Sequence, residues 1–299
     1  MASFSGTARR DVEVVSGPEM LDGVRAAVVG GTGGLGQAIA RELASRGAQV
    51  TVVGQTFRDA GAKNLSFESA DLSKMSEAAR IGRALPAELD LVVLTTGIFA
   101  SPQREVTAEG LERDLAVSYL SRLAILRELA PRLKAKARVF VMGFPGTGQK
   151  GELGDLNAER SYQSMTVHMN TVAGNEALVL EGARRWPHLA FFGLNPGLIK
   201  TNIRANVLGG NQSLRFKLVE SVIGLMMISP ETYARRIVPV LVAPGLEAKA
   251  PVMFNQKARP ILQTPELTGE RVEQLIGESE ALLEKALKAA AAPRPAAVS

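Results

Sequence analysis

A glycine-dense stretch near the amino terminus carries residues whose types and spacing could do chemistry. Residues 28–36 read Val-Val-Gly-Gly-Thr-Gly-Gly-Leu-Gly, follow a short apolar run and lead into a segment with helical spacing. A strand, a glycine turn and a helix start form an anion site, because glycine lets the backbone approach a phosphate and the free N–H groups of the helix favour negative charge. The spacing is Gly30-x-x-x-Gly34-x-Gly36, not the common G-x-G-x-x-G fingerprint, so by itself it indicates only a phosphate-binding turn.

The composition excludes several classes of chemistry. The 299 residues include no cysteine and two histidines, which rules out disulfides and thiolate catalysis and argues against any metal site. The net charge of +5 is spread among acidic neighbours and aromatic residues make up 5%, so no nucleic-acid partner is expected. The first residues lack the apolar core of a signal peptide, and no run approaches the ~18 apolar residues of a membrane span. A cytoplasmic protein without a membrane partner is therefore expected.

Short, continuous apolar runs alternate with helical patterns along the chain. This pattern predicts an α/β fold, a Rossmann-like doubly wound parallel sheet of about seven strands with helices on both faces. The predicted strands are Val24–Val29, Gln49–Val53, Leu65–Phe67, Leu89–Leu94, Arg138–Met142, Leu189–Leu194 and Pro251–Phe254. Two long helices are expected over 108–133 and 162–185.

The pattern also predicts how the chain is divided. A polar amino-terminal stretch is expected to be flexible, one large domain follows, and an amphipathic helix and an Ala-Pro tail end the chain. The segments are the flexible arm 1–22, the Rossmann-fold dinucleotide-binding and catalytic domain 23–265, an apolar helical insert 203–229 within it, the C-terminal amphipathic helix 266–290 and the disordered tail 291–299.

Four motifs follow predicted strands, and in a doubly wound sheet ligands bind at the carboxyl ends of strands. Besides the glycine turn they are Asp71-Leu72, Thr95-Thr96-Gly97 and the segment 196–201, which reads Pro-Gly-Leu-Ile-Lys-Thr. With these motifs the chain resembles the short-chain dehydrogenase/reductase family over about residues 23–255. Thr95-Thr96-Gly97 stands where that family has Asn-Asn-Ala-Gly, and 196–201 fits its Pro-Gly-x-x-x-Thr.

The resemblance implies a set of cofactor-binding residues. It implies that the glycine turn holds the pyrophosphate, that Asp71 and Leu72 lie at the adenine, that the next motif lines the adenosine ribose, and that the last engages the nicotinamide carboxamide. The residues so implied are Gly30, Thr32, Gly33, Gly34, Leu35, Gly36, Asp71, Leu72, Thr95, Thr96, Gly97, Pro196, Gly197, Ile199 and Thr201.

The end of the second predicted strand bears on the choice of cofactor. An NAD enzyme usually ends this strand in an acid that binds the ribose hydroxyls and repels a 2′-phosphate. Here no acid occurs before Asp59, whereas Gln55 and Thr56 can donate hydrogen bonds and Arg58 can pair with a phosphate. The sequence therefore favours NADP(H) over NAD(H), although Arg58 can equally be a solvated residue at a helix start.

The catalytic motif of the family is only partly present. Its chemistry uses Tyr-x-x-x-Lys, in which the lysine lowers the pKa of the tyrosine. Tyr162 stands at the tyrosine position, but Thr166 follows four residues later, and no lysine occurs between residues 150 and 200. The resemblance implies Tyr162 as the proton donor or acceptor. Without a nearby cation its pKa is expected to stay around 10 or to rise on burial.

Two further family positions also differ. The serine position holds Gly143 or Phe144, depending on register, and the asparagine position on the preceding helix holds Ser118, which is retained as a catalytic-site candidate. His168 is a possible replacement. On a helix that includes Tyr162, however, His168 would lie about 240° around the axis from it, so a packed histidine is expected.

Two functions stay open at this point. The first is an NAD(P)(H)-dependent oxidoreductase that reduces a carbonyl or oxidises an alcohol on an apolar small molecule, with Tyr162 moving the proton. The second is a non-redox protein of the same fold, either a cofactor-sensing binding protein or a cyclase or isomerase. The resemblance also implies a homodimer or homotetramer built on the two long helices.

Overall fold

One mostly parallel sheet organises the chain. The computed structural model describes residues 6–197 and 228–291. The strands in this part of the chain are β1 (Arg25–Val29), β2 (Gln49–Gly54), β3 (Leu65–Ser69), β4 (Leu91–Leu94), β5 (Arg138–Met142), β6 (Ala190–Leu194), β7 (Val252–Phe254) and β8 (Pro260–Ile261). They form one sheet in the order β3-β2-β1-β4-β5-β6-β7-β8.

The strand order confirms the doubly wound prediction. The chain builds outward from β1 through β2 to β3, then returns to β4 on the other side of β1 and continues outward. Neighbouring strands are parallel except β7 and β8, which pair antiparallel. The carboxyl ends of β1 and β4 therefore lie side by side at the switch in strand order, where such folds bind ligands.

Helices cover both faces of the sheet. Those in the described ranges are α1 (Gly34–Ser45), α2 (Met75–Ala84), α3 (Arg113–Leu115), α4 (Ser121–Leu129), α5 (Ser164–Arg185), α6 (Pro230–Leu241) and α7 (Gly269–Ala291). One face carries α1 and α6, and the other carries α2, α4, α5 and α7. Successive β1 residues alternate between these layers, so that Val28 packs in one core and Val29 in the other.

The long helix predicted over 108–133 begins later than expected. A π-helical turn over Ala116–Leu120 joins α3 to α4, and the combined helix starts at Arg113. The reason is a side-chain cap: a carboxylate oxygen of Glu112 accepts a hydrogen bond from the Leu115 N–H at 2.7 Å. Glu112 therefore ends the preceding loop and fixes where the helix begins.

The amino-terminal residues run along the far edge of the sheet. Arg9 N–H donates to the Pro260 carbonyl at 2.9 Å, and Leu262 N–H donates to the Thr7 carbonyl at 2.8 Å. These bonds cover part of the edge of the last strand, which would otherwise present unpaired backbone groups. Leu21 is buried beneath α1.

The C-terminal helix contributes a buried polar contact to the core. The Tyr119 hydroxyl donates to Ser279 Oγ of α7 at 2.9 Å, and both side chains are fully buried. We expect Ser279→Ala to lower the free energy of unfolding by about 1–3 kcal/mol, because it leaves the tyrosine hydroxyl without a partner. The double variant Tyr119→Phe/Ser279→Ala removes both polar groups and should recover most of this loss. Urea denaturation of both variants measures the difference, and two equal losses would contradict this account.

Candidate functional site

The glycine turn follows β1 and has no room for a side chain at Gly30 or Gly36. Gly30 has φ +85°, and a Cβ on it would lie 2.6 Å from the Thr96 backbone nitrogen. A Cβ on Gly36 would lie 2.4 Å from both the Gly30 carbonyl oxygen and Thr95 Oγ1. The turn therefore packs directly against the end of β4, so the backbone itself forms the wall of the groove.

The first turn of α1 leaves its backbone donors open. Gly33 stands at the N-cap and has no side chain to accept a hydrogen bond, and the first turn carries no acidic residue. These free N–H groups and the helix dipole favour an anion. A cavity of about 630 Å³ opens in front of them and extends to the ends of β4 and β5 and to α5.

A hydrogen-bonded carboxylate forms another part of the cavity wall. Asp71 Oδ1 accepts from Ser73 Oγ at 2.7 Å and from Gln55 Nε2 at 3.1 Å, and Lys74 Nζ lies 3.4 Å from Oδ2. Burial raises the pKa of Asp71, but the bonds from Ser73 and Gln55 and the charge of Lys74 outweigh it, so the net pKa is lowered. The side chain is an ionised acceptor at neutral pH.

The residues after β2 place a cation, and not a free acid, beside the glycine turn. Arg58 Nη1 donates to the Thr32 carbonyl at 2.7 Å, and Arg58 is otherwise exposed. Asp59 accepts from Gln37 Nε2 at 2.9 Å and pairs with Arg41 on α1. Burial raises the Asp59 pKa, and the bonds from Arg41 and Gln37 lower it by more, so this carboxylate stays ionised and engaged by α1.

A buried arginine joins the strand ends on the opposite side of the cavity. Arg122 of α4 donates through Nη1 to the Met142 carbonyl and, at 2.8 Å, to Asn175 Oδ1, and through Nη2 to the Thr96 carbonyl. Burial lowers its pKa to about 9 against the opposing effect of Asp114, so the guanidinium is cationic at neutral pH. The cavity therefore has a buried cation in its wall.

A second buried polar network lies next to this arginine. Asp114 is fully buried; its Oδ1 accepts from Ser118 Oγ, and its Oδ2 lies 2.8 Å from His168 Nδ1. Ser118 Oγ also accepts from the Ile98 N–H at 3.0 Å. The His168 ring packs against Phe99 with a centroid separation of 4.2 Å. Both His168 and Ser118 line the cavity.

These features fit a dinucleotide. The cradle of Gly30 and Gly36 excludes any Cβ, and the uncapped α1 start offers donors for a pyrophosphate. Two polar atoms at the cavity residues, Thr96 Oγ1 and Arg122 Nε, have no hydrogen-bond partner within the described ranges. A bound ligand is one way in which such atoms gain a partner.

Comparison with known proteins decides the family. The sequence profile of the short chain dehydrogenases matches residues 25–142. An uncharacterized oxidoreductase of Saccharomyces cerevisiae is 49% identical over 274 residues, which cover 88% of each chain. The chain belongs to the short-chain dehydrogenase/reductase family. This membership makes it, in general terms, an NAD(P)-dependent oxidoreductase that acts on small molecules.

Solved structures show the same short-chain dehydrogenase fold. A dehydrogenase/reductase from Sinorhizobium meliloti superposes with a TM-score of 0.57 at 21% identity, covering 80% of this chain and 96% of that one. An NADP active-site complex of RhlG from Pseudomonas aeruginosa gives a TM-score of 0.55 at 20% identity, with 80% and 97% coverage. No helix within residues 6–197 and 228–291 is long and apolar enough to cross a bilayer.

Most of the predicted cofactor residues of this family member surround one cavity. It is lined by Gly30, Thr32, Gly33, Gly34, Leu35, Gly36, Gln55, Asp71, Leu72, Thr95, Thr96, Gly97 and Pro196. Gly197 adjoins Pro196, and its N–H donates to Asn195 Oδ1 at 3.0 Å. Ile199 and Thr201, together with the insert 203–227, lie outside the described residues.

Tyr162 is not among the residues that line this cavity. The helix expected from residue 162 begins at Ser164, because Gln163 is its N-cap in an extended conformation. Tyr162 thus precedes α5, and its hydroxyl donates to the Ser101 carbonyl at 2.5 Å rather than lining the cavity. Burial, Glu112 and Asp114 raise the pKa of Tyr162 to about 12. The expected angle between Tyr162 and His168 was therefore wrong, since it assumed one continuous helix.

The sequence interpretation missed Arg122 and Asp114. A weak signal for Arg122 exists: it is a charged residue directly before the apolar run Leu123–Leu126. Arginine is rarely buried unless it is paired or hydrogen-bonded, so its position in a core helix indicates acceptors nearby. Asp114 has no comparable signal, because acidic residues at the start of a helix are common on surfaces.

Proposed function

We propose that the protein is an NADP(H)-dependent oxidoreductase that reduces a carbonyl group or oxidises an alcohol on an apolar small molecule. One observation carries this proposal: a single cavity joins the glycine turn to a polar end formed by Ser118, Arg122 and His168. The nicotinamide would supply the hydride. The chain must then exchange a proton with the substrate oxygen, either through Tyr162, as the resemblance implies, or through a residue that lines the cavity.

The lining supports an apolar substrate. Next to the polar end the cavity is bordered by Ile98, Phe99, Val117 and Phe144. Apolar walls with a few convergent polar groups are typical of small-molecule sites, in which the polar groups orient the reacting atom. A ketone or aldehyde on an alkyl or aromatic skeleton fits this environment better than a charged metabolite.

The test is a turnover assay on the full chain. Purified protein is mixed with NADPH or NADH and a panel of apolar ketones and aldehydes, and absorbance at 340 nm is followed. The proposal expects turnover with at least one compound and a preference for NADPH. NADPH binding without turnover on any compound in either direction would instead support the non-redox alternative, which the loss of the usual lysine, serine and asparagine favours.

The proposed preference for NADP(H) rests on Arg58. Its guanidinium is anchored at the Thr32 carbonyl, and the acid after β2 is engaged by α1. We expect Arg58→Ala to raise the Kd of NADPH about tenfold, a loss of about 1.4 kcal/mol, and to leave the Kd of NADH within twofold. Arg25→Ala is the matched control, because Arg25 starts β1 at the opposite end of the strand. Isothermal titration measures the affinities, and an equal loss for both cofactors would contradict this role.

A further inference from the structure

His168 is held in one orientation at the cavity. Its Nδ1 lies 2.8 Å from Asp114 Oδ2, its ring rests against Phe99, and 13% of its side chain is exposed. A carboxylate oxygen accepts hydrogen bonds, so Nδ1 carries the hydrogen in this contact. The neutral ring then has its lone pair on Nε2.

Nothing else in the described chain engages Nε2. His168 bonds Asp114 through Nδ1, packs its ring against Phe99, and accepts a hydrogen bond from Thr171 Oγ1 at its backbone carbonyl. Nε2 is also not one of the buried, unpaired polar atoms of the described chain, so a ligand or water can reach it. Nδ1 is therefore held by the buried Asp114, and Nε2 is available to a ligand in the cavity that the ring lines.

The hydrogen bonds of Asp114 fix the orientation of the His168 ring. Its carboxylate is fully buried and its other oxygen is occupied by Ser118 Oγ, so it cannot rotate away without losing two hydrogen bonds. The positive charge of Arg122 lies close enough to interact with the Asp114 carboxylate. This interaction offsets part of the free-energy cost of burying the negative charge. Base, orienting acid and a fixed cation thus occupy the same end of the cavity.

Tyr162 is less suited to this task. Its hydroxyl hydrogen is donated to a backbone carbonyl at 2.5 Å, and its pKa is raised to about 12 by burial and by nearby carboxylates. Histidine is the side chain that ordinarily exchanges a proton near neutral pH. The two groups therefore differ in both position and chemistry.

We propose that His168 is the catalytic acid and base of this site and that Asp114 is the positioning residue that fixes its tautomer. This assignment rests on the proposed oxidoreductase function. In the reduction direction the carbonyl carbon accepts the hydride from the reduced nicotinamide, the π pair moves to the oxygen, and that oxygen takes the proton from Nε2–H of the imidazolium. The ring is left neutral, and solvent returns the proton. Oxidation runs the same transfers backwards, with the Nε2 lone pair taking the alcohol proton.

The activity test compares three variants on a compound that the wild-type protein turns over. We expect His168→Ala to lower kcat by about 100-fold or more, with the Kd of NADPH within threefold, and exogenous imidazole to restore part of the rate. His188→Gln is the matched control, since the chain's other histidine is outside the cavity. Tyr162→Phe is the competing variant. Full activity of His168→Ala, or a large loss confined to Tyr162→Phe, would overturn the histidine assignment and leave the oxidoreductase function standing.

A second readout does not depend on turnover. With two histidines in the chain, ¹⁵N NMR of the wild type and of His188→Gln identifies the signals of His168. The proposal expects the neutral form of the ring to carry its hydrogen on Nδ1, and this form to shift toward Nε2 protonation in Asp114→Asn. A neutral form protonated on Nε2 instead of Nδ1 in the wild type would overturn it. Absence of turnover by the wild type with either cofactor would remove the proposed function, and the catalytic role of His168 with it.

Discussion

Replacing Arg122 with Met should lower the free energy of unfolding by about 3–5 kcal/mol, because it leaves buried acceptors unpaired. The guanidinium bonds the carbonyls at the ends of β4 and β5 and the Asn175 side chain, and two of these three acceptor residues, Met142 and Asn175, are buried. Domains are stable by about 5–15 kcal/mol in total, so the loss is a large fraction. Urea denaturation measures it.

The control is the same substitution at an arginine on the surface. Arg83 pairs with Glu128 at 3.2 Å, and more than half of its side chain is exposed. Arg83→Met should change the free energy of unfolding by less than about 1 kcal/mol. Equal effects of the two substitutions would show that Arg122 does not tie the strand ends together. Arg122→Lys should fall between them, since an ammonium keeps the charge but lacks the planar fork.

The second large effect is expected at the glycine turn. Gly36→Ala places a methyl group 2.4 Å from the Gly30 carbonyl oxygen and from Thr95 Oγ1, so the turn must move away from β4. The backbone donors at the start of α1 then lose their alignment, and we expect the Kd of NADPH to rise at least about 100-fold, or about 2.7 kcal/mol.

Gly277→Ala provides the matched comparison. Gly277 lies within α7, has no atom within 4 Å of an added Cβ, and is in a helical conformation that alanine favours. This variant should bind NADPH as the wild type does and be slightly more stable. Circular dichroism of Gly36→Ala without cofactor separates lost binding from lost folding. Binding within threefold of wild type would remove the glycine turn from the cofactor site.

The fold was predictable because its signals are local. Continuous apolar runs such as Leu91–Leu94 fit strands buried on both faces, and glycine, proline and capping residues mark where they end. The cofactor residues were predictable for a related reason: a parallel sheet gathers the ends of its strands, so motifs far apart in sequence meet at one edge.

The polar end of the cavity was not predictable in the same way. No cation stands four residues after Tyr162, whereas a buried cation of the cavity, Arg122, comes from the preceding helix, 40 positions upstream. Only the packing of α4 against β4, β5 and α5 brings it to the site. The predicted angle between His168 and Tyr162 does not apply because α5 begins at Ser164, two residues after Tyr162, so that only His168 follows the helical period.

The π-helical turn over Ala116–Leu120 determines the relative orientation of Asp114 and Arg122, and so limits which insertions and deletions this helix can accept. In it the Ser121 N–H bonds the Ala116 carbonyl, five residues back, so each turn holds an extra residue and the helix winds more slowly. Asp114 before the turn therefore lies close enough to Arg122 after it for their charges to interact, although eight residues of regular helix would rotate them about 80° apart. The π-helical turn therefore sets the relative rotation of the helical segments before and after it. Deleting a single residue there would convert the turn to regular helix and rotate Asp114 away from Arg122.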